Sequence, residues 1–212
     1  MNPPWTVHEY RLEDFPFSKV VAEALYVDDL ADLAMDMLPR RTWQTDQESP
    51  WHELFYSRFD LLWRSLFERF VHEVVAPLVS EPCYYQAKPT FRVHLPGNVA
   101  VGEFHTDAQY HHPQGETSWW VPLTPAFESC SVWIAGDGGY CAPSLVPGQM
   151  IVFDAVNRRH GNLVNETGQA RVSFDFRTLP VRLLPAVEGP PTKHSKLRFV
   201  PGGYYAIETV TP

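Results

Sequence analysis

The chain has 212 residues, a formal net charge of −8 and 44% hydrophobic residues, which fits one globular domain with a core and a pocket. The acidic balance without a Lys/Arg cluster argues against nucleic acid and anionic membranes as partners, and no apolar run approaches the roughly 20 residues of a membrane span. The three cysteines lack metal-type spacing and the first residues do not resemble a signal peptide, so we expect free thiols and a cytoplasmic location.

Two helices are predicted in the first part of the chain, residues 1–80. The clearer helix begins at Ser49-Pro50, because serine is a good N-cap and proline is tolerated in the first turn. Apolar side chains then recur every three or four residues up to Pro77, which marks the expected end. A second helix is predicted over residues 19–38. We interpret both apolar stripes as core and not as a cofactor site.

From about Cys83 the pattern changes to short β-rich runs that are separated by turn residues. The predicted strands cover residues 90–95, 119–123, 131–135, 150–154 and 171–179. Residues 165–168, Asn-Glu-Thr-Gly, predict a hairpin turn that joins the His160 segment to the strand at Arg171. Many short strands at this spacing, in a chain with 20 prolines, favour a sandwich or barrel over βαβ units.

The predicted organisation is therefore a single domain, mainly β with flanking α. Residues 1–80 form its helical N-terminal part, residues 83–180 its β core, and residues 181–212 a C-terminal tail.

The first chemical signal is the triplet at residues 105–107. In an extended chain, side chains at i and i+2 point to the same side, so His105 and Asp107 can bind adjacent positions on one metal. Alone this triplet is weak, because it arises often by chance. His160 would complete a triad of two histidines and one carboxylate, which leaves three positions of an octahedral metal open. That openness suits iron(II), although the ligand types alone also allow zinc.

Alternation along the strand predicted at residues 171–179 places four polar side chains on one face: Arg171, Ser173, Asp175 and Arg177. We expect the apolar face to pack on a second layer and the polar face to point into a cavity, where charges need partners. A dicarboxylate cosubstrate would answer that need, since Arg171 can hold its distal carboxylate by two parallel hydrogen bonds and Ser173 can add a third. Arg177 could bind an anionic substrate group or pair with Asp175.

The residues predicted to bind substrate are Arg177, Tyr110, Arg92 and Trp133. Arg92 and His94 share a strand face, and either could line the pocket or make a structural pair. Core packing is the alternative for Trp133. His111 and His112 follow the metal segment and could compete as ligands or lie on a loop at the pocket rim.

The order of these residues resembles the signature of the Fe(II)/2-oxoglutarate-dependent oxygenases with a double-stranded β-helix (jelly-roll, cupin-like) core: His-x-Asp, a distant histidine, then an arginine. The strings GEFHTDAQYHHPQGE, WWVPLTPAF and HGNLVNETGQARVSFDFR resemble more specifically the streptomycin-biosynthesis StrG-like branch, over residues 84–180. The resemblance implies that His105, Asp107 and His160 bind iron and that Arg171 binds 2-oxoglutarate.

The resemblance implies a dioxygenase that consumes 2-oxoglutarate and O₂, releases succinate and CO₂, and hydroxylates, desaturates or cyclises a small polar metabolite. An amino acid, a sugar or a natural-product intermediate would fit. The carboxylate of Asp107 favours these outcomes over halogenation, for which that position must be vacated. Two alternatives stay open: a cupin-like isomerase or dioxygenase that does not use 2-oxoglutarate, and a binding module without catalysis. The expected partner is a small molecule, with no nucleic acid or membrane, and the expected form is a monomer or homodimer.

Overall fold

The computed structural model describes residues 2–34, 49–100, 103–184, 189–193 and 196–212. The strands within these ranges are β1 (Thr6–Glu9), β2 (Cys83–Gln86), β3 (Thr90–His94), β4 (Thr117–Pro122), β5 (Trp133–Gly136), β6 (Gly139–Cys141), β7 (Gln149–Phe153), β8 (His160–Gly161), β9 (Arg171–Pro180) and β10 (Tyr205–Val210).

These strands form two antiparallel sheets. The larger sheet has the order β1-β7-β4-β9-β2-β10, and β3 also pairs with β9. The smaller sheet has the order β6-β5-β8. The predicted architecture, mainly β with flanking α, is confirmed, and each of the strands predicted from the sequence is present within a few residues of its expected bounds.

The predicted N-cap at Ser49 is also confirmed, because its side-chain oxygen accepts a hydrogen bond from the backbone N–H of His52. The helical segment that follows continues until the expected region of Pro77. Its successive parts are α2 (Pro50–Arg58), a π-helical stretch (Phe59–Trp63), α3 (Arg64–Phe70), a second π-helical stretch (Val71–Val75) and a 3-10 turn (Ala76–Leu78).

The helix predicted over residues 19–38 is shorter than expected. Helix α1 spans Phe17–Leu25 and ends because Tyr26 adopts a left-handed backbone conformation, with φ of 59°. A separate 3-10 turn follows at Leu30–Asp32. Residues 35–38 of the predicted helix lie outside the described part of the chain.

Aromatic side chains join the helices to the larger sheet, as the apolar stripes predicted. Phe174 of β9 has its ring centroid 5.1 Å from that of Phe17 and 5.3 Å from that of Trp63. Phe176, two residues further along, meets Phe67 edge to face at 5.2 Å. Such contacts add to the burial of aromatic area, which dominates core stability. The apolar face of β9 therefore packs on the helical layer and leaves its polar face for the interior of the β core.

Three expectations about organisation need correction. Residues 1–80 are not purely helical, since β1 pairs with β7, and residues 181–212 include β10, which pairs with β2. Both strands are short edge strands, whose sequences lack a strong alternation signal. The predicted hairpin from His160 to Arg171 is wrong, because β8 belongs to the smaller sheet and β9 to the larger. None of the described helices has the length and apolar character that a membrane span requires.

Candidate metal centre

His105 and His160 face each other across an antiparallel bridge between two otherwise separate segments. The backbone N–H of each donates to the carbonyl of the other, at 2.9 Å in both directions. Glycine at position 161 allows this close approach, because a Cβ there would lie 3.0 Å from ring carbons of Phe104 and would require that ring to shift. Backbone pairing therefore places the two imidazoles side by side, with ring centroids 4.6 Å apart.

Asp107 is positioned by a turn and not by a regular strand. It begins a 3-10 turn, Asp107–Tyr110, which is capped at Thr106 by a reciprocal pair of hydrogen bonds with Gln109. Its backbone N–H donates to the carbonyl of Ala155 at 2.8 Å. The extended-chain argument therefore holds only up to Thr106, and the turn directs the carboxylate toward the histidines.

Donor atoms of the three side chains converge within 4.8 Å of one another. Oδ1 of Asp107 lies 3.7 Å from Nε2 of His105 and 3.5 Å from Nε2 of His160. The Nδ1 atoms contact backbone carbonyls, of Glu103 for His105 at 2.7 Å and of Arg158 for His160 at 3.0 Å. These contacts assign the proton of each imidazole to Nδ1 and leave Nε2 unprotonated, so that its lone pair can coordinate a metal, as in other metal-binding histidines.

The second oxygen of Asp107 is held by Arg177. Oδ2 accepts hydrogen bonds from Nε at 3.1 Å and from Nη2 at 2.8 Å, so Oδ1 remains for a metal. Nη1 of Arg177 donates to Asp175, which also accepts from Nε of Arg92 at 3.0 Å. Four buried or nearly buried charges thus alternate in sign from Arg92 to the metal centre.

The electrostatics of the centre match the protonation states that a metal requires. Burial, followed by the neighbouring His160, lowers the pKa of His105 to about 4. Burial also lowers the pKa of His160. For Asp107, burial acts to raise the pKa, but the guanidinium of Arg177 with the nearby histidines prevails and lowers it. Two neutral imidazoles and one carboxylate are the state in which these residues bind a divalent cation, so the donor set fits an iron(II) ion.

A cavity of about 700 Å³ opens beside the centre, a size typical of small-molecule sites. Three of the residues predicted to bind substrate lie on its wall: Arg92, Tyr110 and Arg177. Other wall residues are Tyr56, Gln86, Lys88, Thr192, Lys193 and Tyr204. Thr192, Lys193 and Tyr204 belong to the predicted C-terminal tail, residues 181–212. The tail reaches the cavity wall because β10 returns to the larger sheet.

Arg171 and Ser173 lie deeper in the β core. Arg171 is 2% exposed and donates to the carbonyl of Cys130 at 3.0 Å, to Ser173 at 2.9 Å and to Asn162 Oδ1 at 2.8 Å. His94 lies 3.4 Å from the same guanidinium, and burial together with this charge lowers its pKa to about 3. His94 is thus a buried structural neighbour of Arg171. Within the described part of the chain, the cavity wall includes neither Arg171 nor Ser173.

The other candidate residues take different places. Trp133 lies on β5 opposite Gly161 and is not on the described cavity wall. His111 is exposed, with Nδ1 3.1 Å from the carbonyl of Pro191. His112 lies on the wall, and its Nδ1 contacts Oε2 of the buried Glu116.

The pair of His112 and Glu116 was missed by the sequence analysis, although the spacing of four residues was visible. Tyr205 donates its hydroxyl hydrogen to the same glutamate, and Tyr204 donates to Oε1 of Gln86 at 2.8 Å. No local pattern predicts these two tyrosine contacts, because they depend on how the C-terminal segment returns to the sheet.

Comparison with known proteins gives one close relative in sequence. The chain is 38% identical to the streptomycin biosynthesis protein StrG of Streptomyces griseus over 177 residues, which cover 83% of this chain and 85% of that protein. No family model matches the chain.

Solved structures agree on the fold. EctD from S. alaskensis with 2-oxoglutarate and 5-hydroxyectoine has a TM-score of 0.56 at 19% identity, covering 87% of this chain and 74% of that chain. The ThoJ-Ni complex, a non-heme monooxygenase, has a TM-score of 0.52 at 14% identity, covering 89% and 78%. The predicted jelly-roll class is therefore confirmed. By its identity and coverage the chain belongs to the family of the streptomycin biosynthesis protein StrG, within the jelly-roll fold of the Fe(II)/2-oxoglutarate-dependent oxygenases.

Proposed function

We propose that this protein is an Fe(II)- and 2-oxoglutarate-dependent oxygenase that acts on a small polar metabolite. The observation that carries the proposal is the convergence of His105, Asp107 and His160. The polar atom of each side chain that points away from the centre, Nδ1 of the histidines and Oδ2 of the aspartate, already makes a hydrogen bond. Two histidines and one carboxylate leave positions open for a cosubstrate and O₂, which zinc hydrolases do not need.

The three ligands would hold iron through Nε2 of His105, Nε2 of His160 and Oδ1 of Asp107. Iron with 2-oxoglutarate and O₂ supplies the oxidant that removes a substrate hydrogen, while the protein binds and orients the reactants. The backbone carbonyls of Glu103 and Arg158 keep each imidazole in the tautomer that presents Nε2.

Arg171 and Ser173 are the groups we propose for the distal carboxylate of 2-oxoglutarate. Arg171 now donates to neutral acceptors, among them Asn162 and Ser173. A carboxylate is a stronger acceptor, since charge-assisted hydrogen bonds are roughly twice as strong as neutral ones. We therefore expect the cosubstrate to replace Asn162 as a partner of the guanidinium.

Arg177 is better described as a positioning residue than as the substrate-binding residue suggested by the sequence. Three of its N–H groups donate to Asp107 and Asp175, which fixes the orientation of the carboxylate ligand. Tyr110 and Arg92 remain our candidates for substrate contacts, because both lie on the cavity wall. We do not assign Trp133 to the substrate.

The cavity and the family relationship support a small metabolite as the substrate. The space of about 700 Å³ suits a metabolite and not a folded macromolecule. The relative StrG is a streptomycin biosynthesis protein, which supports a natural-product intermediate as the substrate. Hydroxylation, desaturation and cyclisation are each compatible with an intact Asp107.

The test is an anaerobic titration of the purified protein with Fe(II) and then with 2-oxoglutarate. We expect the visible metal-to-ligand charge-transfer band, and we expect Arg171→Met to weaken 2-oxoglutarate binding while Fe(II) affinity stays near that of the wild type. Absence of the band from metal-loaded protein, or an Arg171→Met variant that binds 2-oxoglutarate normally, would contradict the proposal.

A cupin-like metalloenzyme that does not use 2-oxoglutarate is the alternative function. It is favoured by one observation, the position of Arg171 outside the described cavity wall. Turnover of a substrate without release of succinate would support this alternative.

A further inference from the structure

Arg92 is a nearly buried cation whose donors are incompletely used. It lies on β3 directly opposite Ser173, and its side chain is 17% exposed. Nε donates to Oδ1 of Asp175 at 3.0 Å, but Nη1 is buried without a hydrogen-bond partner among the described residues. Such a donor costs about 1–3 kcal/mol in a buried site, and more when it is charged. Arg92 also lies on the cavity wall, so the exposed part of its guanidinium side chain can contact an anionic ligand there.

Asp175 alone does not satisfy the hydrogen-bond donors of Arg92. It is shared with Arg177, which donates to it through Nη1, so one carboxylate serves two guanidinium groups. The second carboxylate of this charge network, Asp107, is engaged by Arg177 and directed at the metal centre. Arg92, Asp175, Arg177 and Asp107 are neutral in sum, and a divalent cation bound together with the dianion 2-oxoglutarate leaves that sum unchanged. Because Asp175 is shared between two guanidinium groups, Arg92 keeps the capacity to bind a further anion.

The rest of the cavity wall also carries positive charge. Lys88, Lys193 and Arg64 contribute cations to it, whereas Asp107 is the carboxylate that the described wall contains. Lys88 lies 3.9 Å from the exposed Asp60, which also pairs with Arg64, so these two cations are partly neutralised at the rim. A wall of this kind attracts anions and raises their local concentration.

We infer that the substrate carries an anionic group, a phosphate or a carboxylate, and that Arg92 binds this group inside the cavity. The inference rests on the proposed function for its place in a reaction. The site itself depends only on the position of Arg92 on the cavity wall and on the sharing of Asp175 between Arg92 and Arg177. Guanidinium groups suit both anions because their N–H groups match the oxygen spacing of phosphate and carboxylate.

Two sources of a carboxylate must be separated, the substrate and 2-oxoglutarate. We therefore propose a calorimetric titration of the anaerobic Fe(II)-loaded protein, already saturated with 2-oxoglutarate, using inorganic phosphate and acetate as probes. The variants are Arg92→Met, which removes the charge but keeps the aliphatic stem, and Arg92→Lys, which keeps the charge but loses the fork. Arg182→Met is the matched control, because it removes one arginine that pairs with Glu81 at the surface, away from the cavity.

We expect saturable binding of at least one probe to the wild type and to the control. Arg92→Met should weaken it by roughly 10-fold or more, the effect of losing a charged hydrogen bond, and Arg92→Lys should weaken it less. The charge-transfer band should still form in both Arg92 variants, and the 2-oxoglutarate affinity should fall much less in Arg92→Met than in Arg171→Met. Thermal melting of each variant identifies any that fails to fold, and Arg92→Lys is then decisive.

Three results would overturn the inference. They are no saturable binding of either probe by the wild type, equal probe binding by correctly folded Arg92 variants, or a loss of 2-oxoglutarate affinity in Arg92→Met as large as that in Arg171→Met. The last result would make Arg92 a cosubstrate residue. If the wild type forms no charge-transfer band, the proposed function fails, but the phosphate titration of metal-loaded protein still tests Arg92.

Discussion

Replacement of Arg177 by methionine tests the buried support of the metal centre. Arg177 is 7% exposed and Asp107 is 2% exposed, and the guanidinium donates twice to Oδ2 and once to Asp175. Methionine keeps much of the apolar stem but leaves Asp107 beside two neutral imidazoles. The change therefore removes one partner of a buried ion pair without removing the other.

Breaking a buried pair in this way costs about 3–5 kcal/mol of unfolding free energy. In a domain of this size each kcal/mol shifts the melting temperature by roughly 2–4 °C, so the metal-free variant should melt about 6–20 °C below the wild type. Loss of the group that orients a ligand typically lowers metal affinity by about 10- to 100-fold. Thermal melting and competition with a chromophoric chelator measure the two effects separately.

Arg182→Met is again the control, since Arg182 also makes two hydrogen bonds to one carboxylate, at 2.7 and 2.9 Å, but at the surface. Exposed pairs contribute little to stability, so its melting temperature should stay close to that of the wild type. Equal melting of Arg177→Met and Arg182→Met would refute the argument from burial. A destabilised Arg177→Met protein with normal metal affinity would refute the positioning role alone.

Three further changes give distinct readouts. The metal-free protein should lose stability as the pH falls from about 6.5 toward 4. Histidines of the unfolded chain take up protons near pH 6.5, whereas folded His105 and His94 have pKa values of about 4 and about 3, so unfolding binds protons. A flat chemical-denaturation profile over this range would contradict this expectation. Glu116→Ala removes the acceptor of Tyr205 and should cost about 1–3 kcal/mol, with faster amide hydrogen exchange in β10 than elsewhere in the sheet. Phe174→Ala should cost about 3–5 kcal/mol in urea unfolding, since the ring is fully buried among helix aromatics, and a loss below 1 kcal/mol would be inconsistent with that packing.

Local sequence patterns predicted those features that depend on neighbouring residues. Ser49-Pro50 specified a helix start because capping and the fixed φ of proline act within one turn. Alternation along β9 specified which side chains face the helices and which face the interior, because a strand reverses sides at every residue. The buried polar side chains at Arg171 and Arg177 follow from that rule, and the geometry agrees.

Long-range pairing limited the rest. The turn at Asn165 has the chemistry expected of it, since its Oδ1 accepts from the N–H of Thr167 at 3.0 Å, yet the strands on either side join different sheets. No local rule states which sheet a strand joins. The same limit applies to Arg177, whose partner Asp107 is 70 residues away in the sequence, and to Tyr204 on the cavity wall.

The central place of β9 has a consequence for the order of folding. This strand pairs with β2, β3 and β4, and contacts such as Arg92 to Asp175 join residues 83 positions apart. Contacts of such long range form slowly, and the support for Asp107 arrives only with the docking of Arg177. We therefore expect the chain to fold first as an apoprotein and to acquire its metal afterwards, so that metal starvation would lower activity without lowering the yield of folded protein.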